Sequence, residues 1–255
     1  MEPFDRALRR RRHDAARLAD ADFLFAHIAD ELRHRGQVLA PAARDVLDLG
    51  GPAPAWPGAV RLALAPGAAS LVADEDRLPF ADAAFDLVVS AAGLASVSDL
   101  PGALVQARRV LRPGGWLLAT IAGGMTLAEL RADFIAAESA ITGGAAARTA
   151  PMVEAQAGAA LLARAGFASP VSDVERLTVR YRSVFALFDD LTAMGARSPL
   201  ASRAPLRRDV LAAAAANFAA RADADGKTPV TVELLHLAGR APGGDDGRER
   251  LQAAI

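Results

Sequence analysis

The sequence predicts an α/β protein built on a largely parallel sheet, and three observations carry the prediction. Short apolar runs closed by glycine or turn residues recur at 44–51, 59–65, 69–74, 84–93 and 116–124. A helical stretch at 100–111 separates the last two, as a crossover between parallel strands requires. Two runs of period-2 character, 174–181 and 230–239, suit a closing antiparallel hairpin.

Each element has its own warrant. Residues 4–35 alternate apolar and charged positions at helical spacing, with Leu18, Phe23, Phe25, Ile28 and Leu32 on the apolar side, and Gly36 as the expected stop. "RDVLDLGG" (44–51) is a buried strand closed by glycines, and "AVRLALA" (59–65) and "ASLVAD" (69–74) are two short ones. "AFDLVVSAAG" (84–93) is the clearest strand, entered from a turn. "LPGALVQARRVL" (100–111) is helical and stopped by "RPGG" (112–115), after which "WLLATIAGG" (116–124) returns to strand. "TLAELRADFIAAESA" (126–140) and "VEAQAGAALLARAGF" (153–167) are helical. Between the hairpin strands lies a helical insertion, about 183–225, placed over the top of the sheet. The expected organisation is a single domain over 1–240 and a flexible tail over 241–255.

Composition narrows the chemistry. With 255 residues the chain buries a core without disulfides, and it has no cysteine, which excludes thiol catalysis, cysteine-ligated zinc and iron–sulfur clusters. The net charge is 29 − 30 = −1, so no global field draws the protein to nucleic acid. Lys227 is the sole lysine, so the other 28 basic residues are arginines, a bias read as genomic rather than as phosphate-binding design. No run approaches the roughly 18 apolar residues of a membrane helix, and Asp14, Asp20 and Asp22 interrupt the N-terminal stretch where a secretory signal would be apolar. A cytoplasmic location is expected.

Several motifs fail on inspection. "GKT" (226–228) lacks the glycine of a phosphate loop, since Arg221 stands there. "ELLH" (233–236) has the spacing of a di-iron ligand pair but is single and in a strand. The histidines, His13, His27, His34 and His236, share no ligand spacing, and no His-x-Asp pair offers an iron triad. Arg9 to Arg12 form a charge run that is either a solvated helix face or a docking surface.

A set of blocks distributed over nearly the whole chain resembles a known family. "FDRALRRRRHDAA" (4–16), "LDLG" (47–50), "LPFADAAFDLVVS" (78–90), "DLPGALVQARRVLRPGGWLLA" (99–119), "GGMTLAELR" (123–131), "LLARAGF" (161–167), "LTVRYRSVFALFDDLTAMGA" (177–196) and "RRDVLAAAAANF" (207–218) are similar to class I S-adenosylmethionine (SAM)-dependent methyltransferases of type 11. The match is closest to the methyltransferase-like respiratory complex I assembly factors, whose mitochondrial member is described as a protein arginine hydroxylase. The resemblance implies a Rossmann-like seven-stranded sheet, SAM as cofactor, and a protein partner or protein substrate. A carboxyl methyltransferase like that of biotin synthesis shares the sheet but not the 177–196 block, and ranks last.

The departures from the family cluster in one place. Its first strand ends in Asp-Leu-Gly-x-Gly-x-Gly, whose glycines let the backbone approach the cofactor. Here the run is Asp48-Leu49-Gly50-Gly51-Pro52-Ala53-Pro54, and each proline fixes φ and lacks a donor. The ribose-binding acid is replaced by Ala63. About ten residues separate the first two strands and about four the next two, too few for crossover helices. The lost acid and amide bonds together amount to roughly 3–5 kcal/mol, on the order of 10²–10⁴ in affinity. Ala95 and Ser96 stand where the family carries His-Trp, and Met125 replaces a common Asp.

Other family positions survive. By resemblance the cofactor-binding candidates are Asp48, Gly50, Gly51, Asp74 (the adenine-binding acid), Arg77, Leu78 and Ser90. Asp74 read without the family is a strand-end acid capping a turn. No catalytic residue is identifiable; Tyr181 and Arg180 are weak candidates. Two functions follow: a methyltransferase-family protein of the assembly-factor type with a degenerate cofactor loop, or a non-enzymatic scaffold on the same fold.

Overall fold

A computed structural model describes residues 2–14, 16–18, 21–66 and 69–243. The expected flexible tail, apart from its first three residues, lies outside them. The N-terminal stretch forms two helices rather than one, α1 (Arg6–Asp14) and α2 (Phe23–Leu39). Helix α2 buries Phe25, Ile28, Ala29, Leu32, Gly36 and Leu39, one stripe at helical spacing. It runs straight through Gly36, the expected stop. That glycine is there for packing: a Cβ would meet the Trp56 ring at 2.5 Å.

Seven strands form one sheet in the order β3-β2-β1-β4-β5-β7-β6. They are β1 (Val46–Leu49), β2 (Val60–Ala63), β3 (Leu71–Val72), β4 (Phe85–Ala91), β5 (Leu111–Ala122), β6 (Ala168–Tyr181) and β7 (Thr228–Arg240). The first five are parallel; β7 runs antiparallel to both β5 and β6, which is the expected closing hairpin. Between β4 and β5 lies α3 (Leu100–Val110), started by the Asp99 carboxylate accepting from the Gly102 amide. "RPGG" ends this helix but does not delay the strand. Instead β5 begins at Leu111, and residues 112–115 bulge out where the register against β4 shifts.

The remaining helices are α4 (Ala128–Thr142), α5 (Gly158–Arg164), α6 (Val184–Ala193) and α7 (Arg208–Ala220). Leu47, Leu49, Val88, Leu117, Ala119 and Leu235 pack one sheet face against α3 and α5. Val46, Leu87, Val89 and Leu118 pack the other against α2. A separate cluster joins α4, α6 and α7 through Phe134, Leu187, Val210 and Phe218, together with Val230 of β7. No described residue between β1 and β2, or between β2 and β3, is helical. In place of a helix the 50–59 loop lays Ala55 and Trp56 against the α2 face. Val60, Leu71 and Val72 remain exposed at the uncovered edge. Among the described residues, no helix is long and apolar enough to cross a membrane.

Candidate functional site

In an open α/β sheet, ligands enter the crevice beyond the carboxyl ends of the strands where the strand order reverses. Here that point lies between β1 and β4, where the turns after the two strands approach each other closely. Gly50 and Gly51 turn with φ of 69° and 86°, a conformation that disfavours other residues. A Cβ on Gly51 would strike the Ala91 carbonyl, and one on Gly93 would meet Leu49 O, Gly50 C and Gly51 N at 2.5–2.7 Å. The turns after the two strands therefore press backbone on backbone. Ser90 joins them further by donating its hydroxyl to Leu49 O at 2.7 Å.

Asp48, fully buried, lies at the carboxyl end of β1, one residue before its last. Its Oδ2 accepts from the Ala55 amide at 2.7 Å and from Arg61 Nη1 at 3.1 Å. Arg61, opposite Asp48 on β2, also donates to Ala53 O at 2.6 Å and Gly51 O at 2.8 Å. One guanidinium thus ties the whole shortened loop to its strand. Burial pushes the Asp48 carboxyl up from its ordinary value despite that cation. Asp48 Oδ1 and Arg61 Nε are buried without protein partners.

The turn after β3 carries three acids, and α1 meets each with an arginine. Arg6 lies 3.3 Å from Asp74 and binds Asp76 at 2.6 Å, and Arg10 lies 3.7 Å from Asp74. Between them Arg9, only 6% exposed, grips the fully buried Glu75 with both Nη atoms, at 2.8 and 2.7 Å. The same guanidinium donates to Gly93 O and to Ser96 Oγ, both at 2.7 Å. Arg9 therefore bridges the β3 turn and the β4 turn across the mouth of the crevice. Next to it, burial and the charges of Arg9 and Arg61 push the His13 imidazole down to about 4.

The arginine run is thus neither a wholly solvated face nor a free docking surface. Arg9 is buried, and Arg12 caps the carbonyls of Arg197 and Ser198; Arg10 and Arg11 are exposed. Of the candidate residues, Asp48, Gly50, Gly51 and Ser90 gather at the β1–β4 turns, and Asp74 stands beside them under Arg6 and Arg10. Leu78 belongs to the core, and Arg77 is exposed on the turn. Ala63, where the family acid would be, is buried. Arg180 pairs with Asp223 and Asp225 at the surface, and burial beside Asp190 raises the Tyr181 phenol well above its ordinary value. Both belong to the end of β6, where Tyr181 packs against the α4, α6 and α7 cluster. "ELLH" divides between separate partners: Glu233 takes Arg176 at 2.8 Å, and His236 sits between Thr120 and Glu175 at 3.0 Å each. Among the described residues no group of acids and histidines has the geometry of a metal site.

Sequence reasoning missed Arg61 and Glu75, and read Arg9 only as part of a charge run, not as a buried partner of Glu75. One signal was available for the Arg9–Glu75 pair. Arg6, Arg9 and Arg10 are spaced i, i+3, i+4, one face of a helix, and the chain holds a matching run of three acids at 74–76.

Comparison with known proteins gives this geometry its relatives. The methyltransferase domain family matches residues 55–119, beginning just past the Asp48–Pro54 loop. The mitochondrial arginine-hydroxylase NDUFAF5 of Rattus norvegicus is 38% identical over 172 residues, 67% of this chain and 50% of that protein, as is the Homo sapiens protein. A malonyl-[acyl-carrier protein] O-methyltransferase of Laribacter hongkongensis is 31% identical over 203 residues, 76% of this chain and 66% of that one. The chain spans about half the length of the NDUFAF5 proteins it matches. Among solved structures, a candidate methyltransferase of Bacillus halodurans superposes with a TM-score of 0.53 at 15% identity, covering 83% of this chain and 99% of that one. SAM is the cofactor to which this family match points.

Proposed function

We propose that this chain, which belongs to the class I SAM-dependent methyltransferase family and resembles the NDUFAF5 arginine-hydroxylases, is an assembly-factor-type protein whose cofactor loop is degenerate and binds SAM weakly or not at all. The observation that carries the reading is the Arg9–Glu75 pair, closed over the crevice at the end of β1 and β4. The residues present do not fit the cofactor. The carboxylate matching the adenine acid, Asp74, is taken by Arg6 and Arg10. The amides of a glycine loop are replaced by prolines, and the loop's carbonyls face the Arg61 guanidinium.

Within that reading the closed crevice favours a non-enzymatic protein that works through its surfaces and binds a protein partner. The near-neutral charge and the absence of cysteine support a cytoplasmic protein without a nucleic-acid partner.

Calorimetric titration with S-adenosylhomocysteine tests the proposal. The expected result is no heat at millimolar ligand. Micromolar binding would overturn it and show that the arginines yield to the cofactor.

A further inference from the structure

We propose that the surface shared by the end of α1, the 195–203 segment and α6 docks a partner protein, through a segment that carries spaced acidic side chains and one large apolar one. The 195–203 segment runs beside the chain that enters α1. Asp5 donates its amide to Pro199 O at 2.8 Å, Ala201 donates to Pro3 O at 3.0 Å, and Phe4 bridges to Leu200. Further along α1, Arg12 donates to the carbonyls of Arg197 and Ser198. Arg197 lies over the Phe188 ring, 5.7 Å from its centroid, and Phe188 meets Phe185 edge to face at 6.3 Å. Phe185 is 53% exposed, and Arg197 and Arg203 are exposed beside it along the same surface.

Charge selects the partner. Among the described residues no carboxylate forms an ion pair with Arg12, Arg197 or Arg203. Burial and the charges of Arg203 and Arg197 push the Arg12 guanidinium below its ordinary value, so three cations meet without an answering anion. Asp5, whose charge reaches Arg12, already has Oδ1 on the Leu8 amide at 2.9 Å. A carboxylate brought by a partner relieves this repulsion and takes paired donors from a guanidinium. The exposed Phe185 ring adds the combination of aromatic and arginine that anchors protein interfaces. Asp189, exposed one turn from Phe185 on α6, opposes a continuous polyanion such as RNA and favours acids that stand apart. The inference rests on the reading of a protein that works through its surfaces, and names the surface. Its test does not involve the cofactor, so either result can fail while the other stands.

Fluorescence anisotropy of a short labelled peptide, with glutamates separated by alanines around one central phenylalanine, is the test. The full chain should bind it with a Kd on the order of 10–100 μM at low salt, and about tenfold more weakly when high salt screens the charges. Arg197→Glu and Arg203→Glu should each weaken binding about fivefold, and Phe185→Ala by about the same factor. All three side chains are exposed, so the variants keep the fold. Arg164→Glu, which makes the same change of charge at an exposed position on α5, should bind as the wild type does. No binding at about 1 mM protein would overturn the proposal, as would unchanged binding by Arg197→Glu and Arg203→Glu. So would an equal loss in Arg164→Glu, which would reveal a global attraction rather than a site. Tighter binding of a labelled uridine oligonucleotide than of the peptide would also overturn it, and make the surface a nucleic-acid site.

Discussion

On one side of β1 the sheet continues into β2 and β3, four and two residues long; on the other it continues through β4, β5, β7 and β6, of seven, twelve, thirteen and fourteen. The long half satisfies its backbone by ladder pairing and covers its faces with α2, α3 and α5. The short half has no crossover helix among its described residues, and its loop carbonyls and buried carboxylates are met by two guanidinium groups, one on β2 and one on α1. Arg61 binds two loop carbonyls and Asp48, while Arg9 binds Glu75 and the β4 turn. Loss of a helix moves the burden of hydrogen bonding onto long side chains with several donors. Such a region becomes dependent on individual ion pairs in a way that a ladder is not.

The comparison breaks most visibly at Arg9. Arg9→Ala leaves the Glu75 carboxylate buried without a counter-charge, and breaking a buried pair in this way costs about 3–5 kcal/mol. For a chain of this size that is a fall in melting temperature on the order of 10 °C. The double variant Arg9→Met, Glu75→Leu, which removes both charges and keeps volume, should recover most of it. Scanning calorimetry of the three proteins decides the matter. An unchanged melting temperature for Arg9→Ala would mean that the short half does not depend on its arginines.

Much of the long half was legible because its signals are local. "AFDLVVSAAG", the hairpin runs and the helix over 100–111 each announce themselves within a dozen residues, and the structure places them as expected. That no described residue between β1 and β2 or between β2 and β3 is helical was also readable, since both connections are too short for a crossover helix. What stands in place of such helices was not readable. Arg61 meets Asp48 from thirteen residues away and Arg9 meets Glu75 from sixty-six, and no period or spacing within either segment reports such a contact. Gly36 misled for the same reason. A glycine late in a helix reads as a stop, and only the distant Trp56 ring shows that it is a packing contact.

A smaller effect sharpens the comparison through pH. His13, on α1, is held neutral down to about 4 by burial and by Arg9 and Arg61, whereas the unfolded chain protonates it near 6.5. A depressed histidine costs no stability above its unfolded value. As pH falls from about 6.5 towards 4 the unfolded state takes up a proton that the folded state refuses, so stability drops; below about 4 this contribution is flat. The loss is on the order of 2–3 kcal/mol by pH 4.5. Urea titrations of the wild type and His13→Gln at pH 7.5 and 4.5 isolate it, because His236, Glu175 and the other acids titrate in both proteins. Parallel pH profiles would show that His13 is not buried beside these cations.

The smallest effect belongs to the long half and is the control for the whole comparison. Arg180 on β6 makes two ion pairs, with Asp223 and Asp225, as many as some arginines of the short half make. It is 42% exposed, however, and all three charges keep contact with water. Removing one partner of an exposed pair leaves nothing desolvated behind, and salt already screens what attraction there is. Arg180→Ala should therefore leave the melting temperature where it was, in low and in high salt. A fall comparable to that of Arg9→Ala would show that arginine pairing stabilises this fold wherever it occurs. An unchanged value ties the effect to burial, and so to the half of the sheet that lacks its helices.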